Sequence, residues 1–469
     1  MPELVDSPAL LDLSRPRRLH LVGVGGSGMS AIAGVLAAMG HLVSGSDLKD
    51  SANLERLRSQ GVQVYVGHDA DWIDAAEAVA ISTAIPRTNP EVVAAHERGV
   101  PVLRRAEILA AIAATRRCIA VAGTHGKTTT SSMLALVLVA AGLRPSFIIG
   151  GELNEIGTGA AWDEGDWFVV EADESDGTFL ELGADAAVVT NVEPDHLEFY
   201  GGFDALVDSF GRFLAAVPGP KAVCLDDPIA ARLVAGHDGV VTYGTAPDAV
   251  VRMLDVVSER RGTRFAVERE GTRLGEVHLP VPGLHNARNA AAAVAMAVEL
   301  GVSFETAAAA LARYAGVARR FEFRGEAGGV TFVDEYSHLP TEVAAAIAAA
   351  RDGGWERIVC VFQPHRYSRT ATLGSAFADA FEGADLLVVT DVYPAGEKPR
   401  PGVTGKLIVN AVLDVHPWRH LAYLPRRADL VPYLRTVLRP GDLCLTLGAG
   451  DLTTLPDELL DALGRRGAA

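Results

Sequence analysis

The sequence predicts an α/β protein of three domains, and three observations lead there. Its 469 residues are too many for one core and correspond to about three units of roughly 150 residues each. Short apolar strands alternate with alanine-rich helical stretches along most of the chain, the pattern of parallel sheets. Two of those strands, near Leu19 and Ile119, run straight into glycine turns that open a helix, and such turns mark nucleotide sites at the C-terminal edge of a parallel sheet.

Taken in order, LHLVGVGG, SGMSAIAGVLAAMG and HLVSGSD over residues 19–47 make a strand, a helix and a second strand. The turn residues of ISTAIPRTNPEV and RGVPVLRRAEIL suit loops that close a first parallel sheet, so the first domain is expected over 1–116. A second strand and glycine turn begin at Cys118 and open a domain expected over 117–318. From Arg252 to Pro280 short alternating strands with charged turns predict a small antiparallel sheet at the edge of that core. After Gly316 the buried strands VTFVDEY, RIVCVF, DLLVVTD and DLCLTLG alternate with alanine-rich helices, giving a third domain over 319–469.

Charge and composition exclude several classes. The formal charge of −17, from 42 basic and 59 acidic residues, opposes a phosphate backbone, and no basic run offsets it, so no nucleic-acid partner is expected. Cys118, Cys224, Cys360 and Cys444 each lie in a strand-like apolar run without a CxxC pair, the expectation for reduced core residues of a cytoplasmic protein. The longest apolar run, Met133 to Leu143, falls short of the ~18 residues of a membrane span. The N-terminus carries no apolar export segment. No membrane partner is expected, and the run reads as a buried helix.

The chemistry sits in the turns. IAVAGTHGKTTT places Gly123, Thr124, His125, Gly126, Lys127, Thr128 and Thr129 between a strand and a helix. Glycines there let backbone N–H groups converge on phosphate oxygens, a lysine reaches the terminal phosphates, and the hydroxyl after it suits Mg²⁺. Val121 stands where the longer form of the motif has glycine, so this is a shortened variant, and ATP is the first ligand it suggests. Gly23, Gly25 and Gly28 spell GxGxxG, with Asp47 at the end of the next strand. NAD is the obvious reading, yet the same turn also lets a helix approach a sheet or cradles another diphosphate. A nucleotide-linked substrate such as a UDP-sugar accounts for both phosphate sites. Glu171, Asp173, Glu174 and Asp176 crowd one strand end, and Asn191, Glu193, Asp195 and His196 another, a gathering of oxygens that suits Mg²⁺ or forms solvated acidic loops. His285, Asn286 and Asn289 open a later helix, either as caps or as contacts to a purine edge. In the third domain His365, Arg366 and Arg369 are spaced to meet the carboxylate of an amino acid, or else solvate a surface loop.

Taken together, GVGGSGMS, AGTHGKTTT, EADESD, NVEPDHLEFYG, GLHNARNAA, ARRFEFRG, DEYSHLPTE, QPHRYSRT and LGAGD resemble the Mur ligases, in order, from about Leu19 to about Thr453. The resemblance implies an ATP-dependent amide-forming ligase of peptidoglycan precursor synthesis. Its fold would be α/β, with a Rossmann-like N-terminal domain for the UDP-sugar, a central P-loop ATPase and a Rossmann-like C-terminal domain for the amino acid. It implies that Gly123 to Thr129 cradle the ATP phosphates, that Lys127 grips them, and that Thr128, Glu171 and His196 ligate Mg²⁺. His285 and Asn289 would contact adenine, Arg320 the phosphates and Glu335 the ribose. Gly25, Gly26, Gly28 and Asp47 would face the UDP moiety, and His338, His365, Arg366 and Arg369 would form the pocket for L-alanine. Lys127, Glu171, His196 and Arg366 would be the catalytic set, acting on UDP-N-acetylmuramate and L-alanine in a monomer or homodimer.

Sister ligases carry a carbamylated lysine where Leu206 to Phe213 has none, which favours the alanine-adding branch or its tripeptide-adding relative. Two positions depart from the family's DDYxHHPTE. Glu335 is one methylene longer than the usual aspartate, and Leu339 replaces an imidazole, so amino-acid choice stays open. From another class, an NAD-dependent oxidoreductase built on the first glycine turn remains the alternative.

Overall fold

Strands such as RCIAVA and RIVCVF are apolar on both faces, and sheets with both faces covered are built from such strands. The computed structural model describes residues 11–82, 84–154, 156–260 and 262–464, and their strands form three sheets. The first holds β1 (Arg18–Val22), β2 (Leu42–Asp47), β3 (Gln63–Val66), β4 (Ala78–Ile81) and β5 (Val102–Arg104). Their order is β3-β2-β1-β4-β5, parallel throughout.

The second sheet contains β6 (Arg117–Ala122), β7 (Ser146–Leu153), β8 (Thr158–Ala161), β9 (Trp167–Glu171), β10 (Ala186–Val189), β11 (Lys221–Cys224), β12 (Val240–Gly244), β13 (Val251–Glu259), β14 (Gly262–Arg269) and β15 (Thr272–Leu279). The order is β15-β14-β13-β12-β11-β10-β6-β9-β7-β8, with β7 and β8 antiparallel. The alternating segment 252–280 thus supplies three strands at one edge, where β13 joins β12 in parallel. The third sheet is β16 (Glu322–Ala327), β17 (Val330–Glu335), β18 (Arg357–Phe362), β19 (Leu386–Val389), β20 (Leu421–Tyr423) and β21 (Asp442–Leu447), ordered β16-β17-β21-β18-β19-β20. Only β16 is antiparallel to its neighbour among the described pairs.

Two compact units result. One comprises the chain to Leu254 with Ala266–Gly275 and Arg288–Leu311, the other Asp255–Phe265, Glu276–Ala287 and the chain from Ala312. In the first, a continuous core runs from Leu21, Ile32 and Ile112 to Phe168, Phe179 and Phe210. The helix Lys127–Ala140 is buried from Thr128 to Leu138, as its unbroken apolar run requires. In the second unit, alternation along β18 sends Ile358, Cys360 and Phe362 into one core and Val359 and Val361 into another. Phe362 packs at 5.2 Å from both Phe377 and Phe381.

Local signals set the helix starts. Asn89 caps Pro90–Glu97 by accepting the Glu91 N–H at 2.9 Å, and proline in the first turn forfeits no hydrogen bond. All four cysteines are free and buried, in β6, β11, β18 and β21. No helix among the described residues is long and apolar enough to cross a membrane.

Phe381 is fully buried, so Phe381→Ala should cost about 3–5 kcal/mol. Hydrogen exchange should then show faster exchange in β18 and β21. Unchanged protection would mean the ring does not support that core.

Candidate active site

The parallel pairing of β6 with β10 on one side and β9 on the other brings three strand ends together at one edge. The loop Gly123–Gly126 leaves β6 there. Gly123 has φ +133° and Gly126 φ +80°, the left-handed side of backbone space that glycine enters at no steric cost. Space demands the same choice: a Cβ on Gly123 would collide with the Thr190 hydroxyl, and one on Gly126 would lie 2.5 Å from Asn289 Oδ1.

The loop is braced from the end of β10. Thr124 donates its N–H to the Asn191 carbonyl at 3.1 Å. His125 donates its N–H to Asn191 Oδ1 at 2.8 Å, and the Asn191 amide returns a bond to the His125 carbonyl at 3.1 Å. Glu193 donates its N–H to the Thr124 hydroxyl at 2.8 Å, and its carboxylate faces His125 Nε2 at 3.2 Å. Asn191 and Glu193, which the sequence grouped with the cation-binding oxygens, therefore hold the loop in shape.

Lys127 and Thr128 begin the helix that follows. The Lys127 ammonium donates to Glu174 Oε2 at 2.7 Å and Oε1 at 2.9 Å, and to the Gly123 carbonyl at 2.6 Å. The pair is nearly shut off from water, with side-chain exposures of 12% and 3%. Burial disfavours the lysine charge, but the carboxylates of Glu174, Asp173 and Glu171 outweigh it and hold the ammonium above its ordinary pKa. Burial lifts the Glu174 carboxyl to about 7 against the pull of Lys127, with Asp173 adding to the rise. The Thr128 hydroxyl donates to Glu171 Oε2 at 2.8 Å, an oxygen that also accepts the Gly150 N–H at 2.8 Å. Thr129, one residue on, is buried.

Thr128 and Glu171 therefore offer adjoining hard oxygens, the donor chemistry Mg²⁺ prefers. His196, the third predicted ligand, sits in a left-handed conformation (φ +52°) and pairs with Asp195 at 3.3 Å. No cluster of three His, Cys, Asp or Glu groups able to hold a metal forms among the described residues.

At the first glycine turn, Asp47 Oδ2 accepts the Gly25 N–H at 2.9 Å. Gly26 caps the helix Ser27–Ala38, and Gly28 lies in its first turn. Asp47 thus shapes the turn with one of its own oxygens. Asn53 adds a bond to the Gly25 carbonyl at 2.8 Å. Arg105 stands beside this turn and reaches the acidic loop, donating to Asp173 at 3.1 Å and Asp176 at 3.3 Å. A cavity of about 490 Å³ is lined by Ser27, Gly28, Arg105, Glu171 and Asp173 together with apolar side chains such as Ile32 and Trp162.

His285 and Asn289 lie one turn apart on the helix Leu284–Glu299. Asn289 is buried against Gly126. The His285 ring packs at Gly283, where a Cβ would come within 2.7 Å of it.

The second unit gathers the remaining candidates. The His338 and His365 rings are 5.6 Å apart, His365 stacks on Tyr393 at 5.8 Å, and Arg369 Nη1 lies 3.1 Å from His365 Nδ1. Burial, then the charges of His338, Arg369 and Arg366, pushes the His365 pKa down to about 3, so its ring is neutral near pH 7 and accepts from Arg369. Arg366 caps the helix Tyr367–Leu373 with φ +68° and donates its N–H to the Tyr393 carbonyl at 2.9 Å. Arg320 lies over the Tyr336 ring at 5.0 Å. Glu335 is buried, and its carboxylate accepts the Phe321 N–H at 2.8 Å and both the N–H and hydroxyl of Ser337 at 3.1 Å. Leu339 is buried where the resemblance expects an imidazole. Glu342 caps the helix after it by accepting the His338 and Leu339 N–H groups at 2.9 and 3.1 Å.

Sequence reasoning missed Arg105, Asn53, the Tyr336 ring and the pairing of Glu174 with Lys127. Tandem arginines at the end of β5, on the same sheet edge as the glycine turn, are the signal for the first. Nothing local in the sequence singles out the others.

Comparison with known proteins matches three consecutive segments. Residues 18–117 match the Mur ligase family catalytic domain, 121–297 the Mur ligase middle domain, and 319–450 the Mur ligase glutamate ligase domain. The chain is 47% identical over 460 residues to a UDP-N-acetylmuramate--L-alanine ligase of Bradyrhizobium diazoefficiens, covering 95% of this chain and 98% of the relative. It is 46% identical over 461 residues to the enzyme of that name from Agrobacterium fabrum, with the same two coverages. The crystal structure of the UDP-N-acetylmuramate-alanine ligase of Thermotoga maritima superposes with a TM-score of 0.81 at 28% identity, over 97% of this chain and 100% of that one. A murein peptide ligase from Psychrobacter arcticus shares the fold at a TM-score of 0.70 and 23% identity, over 96% of this chain and 99% of that one. With all three segments matched and nearly half its residues shared with full-length relatives, the chain belongs to the Mur ligase family.

Proposed function

We propose that this protein uses ATP to activate the carboxylate of UDP-N-acetylmuramate and joins it to L-alanine, in the cytoplasm, as a step of peptidoglycan precursor synthesis. The observation that carries the reading is near-full-length identity to relatives named for that reaction, in a chain that keeps its phosphate loop and acidic strand end intact. In this assignment residues 1–116 take the sugar nucleotide, 117–318 take ATP and 319–469 take the amino acid. The oxidoreductase alternative leaves the second phosphate loop without work and is not retained.

A carboxylate does not condense with an amine in water, so the γ-phosphoryl group must first pass to the muramoyl carboxylate, with ADP leaving. Lys127 stabilises the charge that spreads over the transferring phosphoryl oxygens, and the N–H groups of Gly126 and of the first helical turn hold the phosphates in line, while those of Thr124 and His125 stay on Asn191. Thr128, Glu171 and His196 would hold magnesium, which when bound supplies positive charge at the phosphate oxygens. His285 and Asn289 are assigned to the adenine and Arg320 to the phosphates. A ribose hydroxyl reaching Glu335 would take the place of the Ser337 hydroxyl.

The neutral amine of L-alanine then attacks the acyl carbon, and collapse of the tetrahedral intermediate expels phosphate and leaves the amide. Arg366 and Arg369 are assigned to the alanine carboxylate, a fork that matches two oxygens. His338 and His365 wall the pocket, and the neutral His365 leaves the positive charge on the arginines. Gly25, Gly26 and Gly28 face the diphosphate, with Asp47 fixing their turn.

Phosphate release with ATP and UDP-N-acetylmuramate, comparing L-alanine, glycine, L-serine and the tripeptide, tests the reading directly. L-Alanine should be preferred, and turnover with the tripeptide alone would move the protein to the recycling activity. Lys127→Ala should lower kcat about a hundred- to thousandfold, and near-normal turnover would remove the loop from the mechanism. Arg366→Ala should raise the KM for L-alanine well above any change in the KM for ATP. Equal effects on both would reassign the residue.

A further inference from the structure

The glycine turn of the first sheet and the acidic loop of the second are joined by a side chain that belongs to neither motif. Arg105 follows β5 directly and begins the helix Arg105–Ala113, so it stands at the C-terminal edge of the first sheet with the turn Gly23–Gly28. Its Nη1 lies 3.6 Å from the position of a Cβ on Gly28. Its Nη2 donates to Asp173 Oδ2 at 3.1 Å and to Asp176 Oδ2 at 3.3 Å. Arg105, Gly28 and Glu171 line one cavity of about 490 Å³, so the guanidinium sits between the diphosphate turn and the strand end where the carboxylate is to be activated.

We infer that Arg105 is a substrate-binding residue whose guanidinium anchors the anionic part of the sugar nucleotide, with Asp173 and Asp176 as the counter-ions it exchanges for substrate. This rests on the reading that the N-terminal domain takes that nucleotide. A guanidinium is a planar fork that suits phosphate or carboxylate oxygens in pairs. Its carboxylate partners are themselves a quarter to a third exposed, 34% for Asp173 and 24% for Asp176, so water can take their place beside the aspartates when an anion claims the arginine. The side chain also offers its other amino group toward Gly28, where the first turn of a helix already favours negative charge.

The test uses the full chain, with UDP, UDP-N-acetylglucosamine and UDP-N-acetylmuramate as calorimetric ligands and ADP release as the assay. Arg105→Gln should weaken UDP-N-acetylmuramate binding about ten- to hundredfold and raise its KM, leaving the KM for ATP unmoved, and Arg105→Lys should recover part of the loss. A loss shared by UDP assigns the diphosphate as the anchored group. A loss confined to UDP-N-acetylmuramate assigns the carboxylate. Unchanged affinity for all three overturns the inference.

Asp176→Asn removes one counter-ion while keeping an oxygen for the Thr178 N–H, which it accepts at 3.1 Å. It should tighten sugar-nucleotide binding, and weaker binding would count against the exchange even if Arg105→Gln failed to fold. The two readings fail separately: an unsubstituted chain that forms no ADP with UDP-N-acetylmuramate, ATP and L-alanine sinks the proposed reaction. Normal ligation with an unaltered KM in Arg105→Gln sinks only the arginine's role.

Discussion

Parallel pairing of β6 between β9 and β10 is the constraint from which the central site follows. It sets three strand ends side by side, and each contributes a different group: the glycine loop from β6, Glu171 from β9, and the bracing residues Thr190, Asn191 and Glu193 from the end of β10. Such closeness leaves no room for a side chain at several points. A Cβ at Gly150 would come within 2.5 Å of Glu171 Oε2, yet that carboxylate must pass there to meet the Thr128 hydroxyl. Glycine in β7 is thus a condition for the acidic strand end to reach the loop, although it belongs to no phosphate-binding motif.

Charge balance is the second organising term. The end of β9 and the loop after it pack Glu171, Asp173, Glu174 and Asp176 into one short segment, a self-repelling arrangement unless cations oppose it. Lys127 opposes it from one side and Arg105 from the other. Burial of the Lys127 and Glu174 pair strengthens their attraction and also raises the cost of leaving either alone. Phosphate oxygens offered to Lys127 would therefore compete with a carboxylate already in place, so the lysine is held at the loop without needing substrate to order it.

Periodicity and turn chemistry made the three sheets legible, because buried parallel strands read as continuous apolar runs and the loops at their C-terminal ends carry glycines and charges. Gly123, Gly126, Lys127, Thr128 and Glu171 were equally legible, since their spacing from a strand is local. What sequence cannot convey is contact between segments far apart in the chain. Asn191 and Glu193 look like cation ligands when read beside Asp195 and His196, and only the register of β10 against β6 turns them toward Thr124 and His125. Arg105 lies 68 residues from Asp173, in a stretch whose local pattern offers a strand ending in tandem arginines and a helix beginning, but no sign of the acidic loop it meets.

The longer side chain at Glu335 shows how a departure from a family pattern can be absorbed. Its carboxylate reaches back 14 residues to the Phe321 N–H, in a turn where Arg319 and Phe321 both have positive φ, +64° and +48°. Each such residue costs about 1–2 kcal/mol without glycine, so the turn persists only because bonds hold it. Glu335 supplies one at Phe321, Glu322 accepts the Arg319 N–H at 2.7 Å, and the Arg319 carbonyl accepts the Tyr336 N–H at 2.8 Å. Between the two strained residues lies Arg320, laid over Tyr336. Aspartate at 335, one methylene shorter, would hold its carboxylate back from Phe321 and loosen the turn that aims Arg320. In this chain the acid therefore acts on the arginine's position.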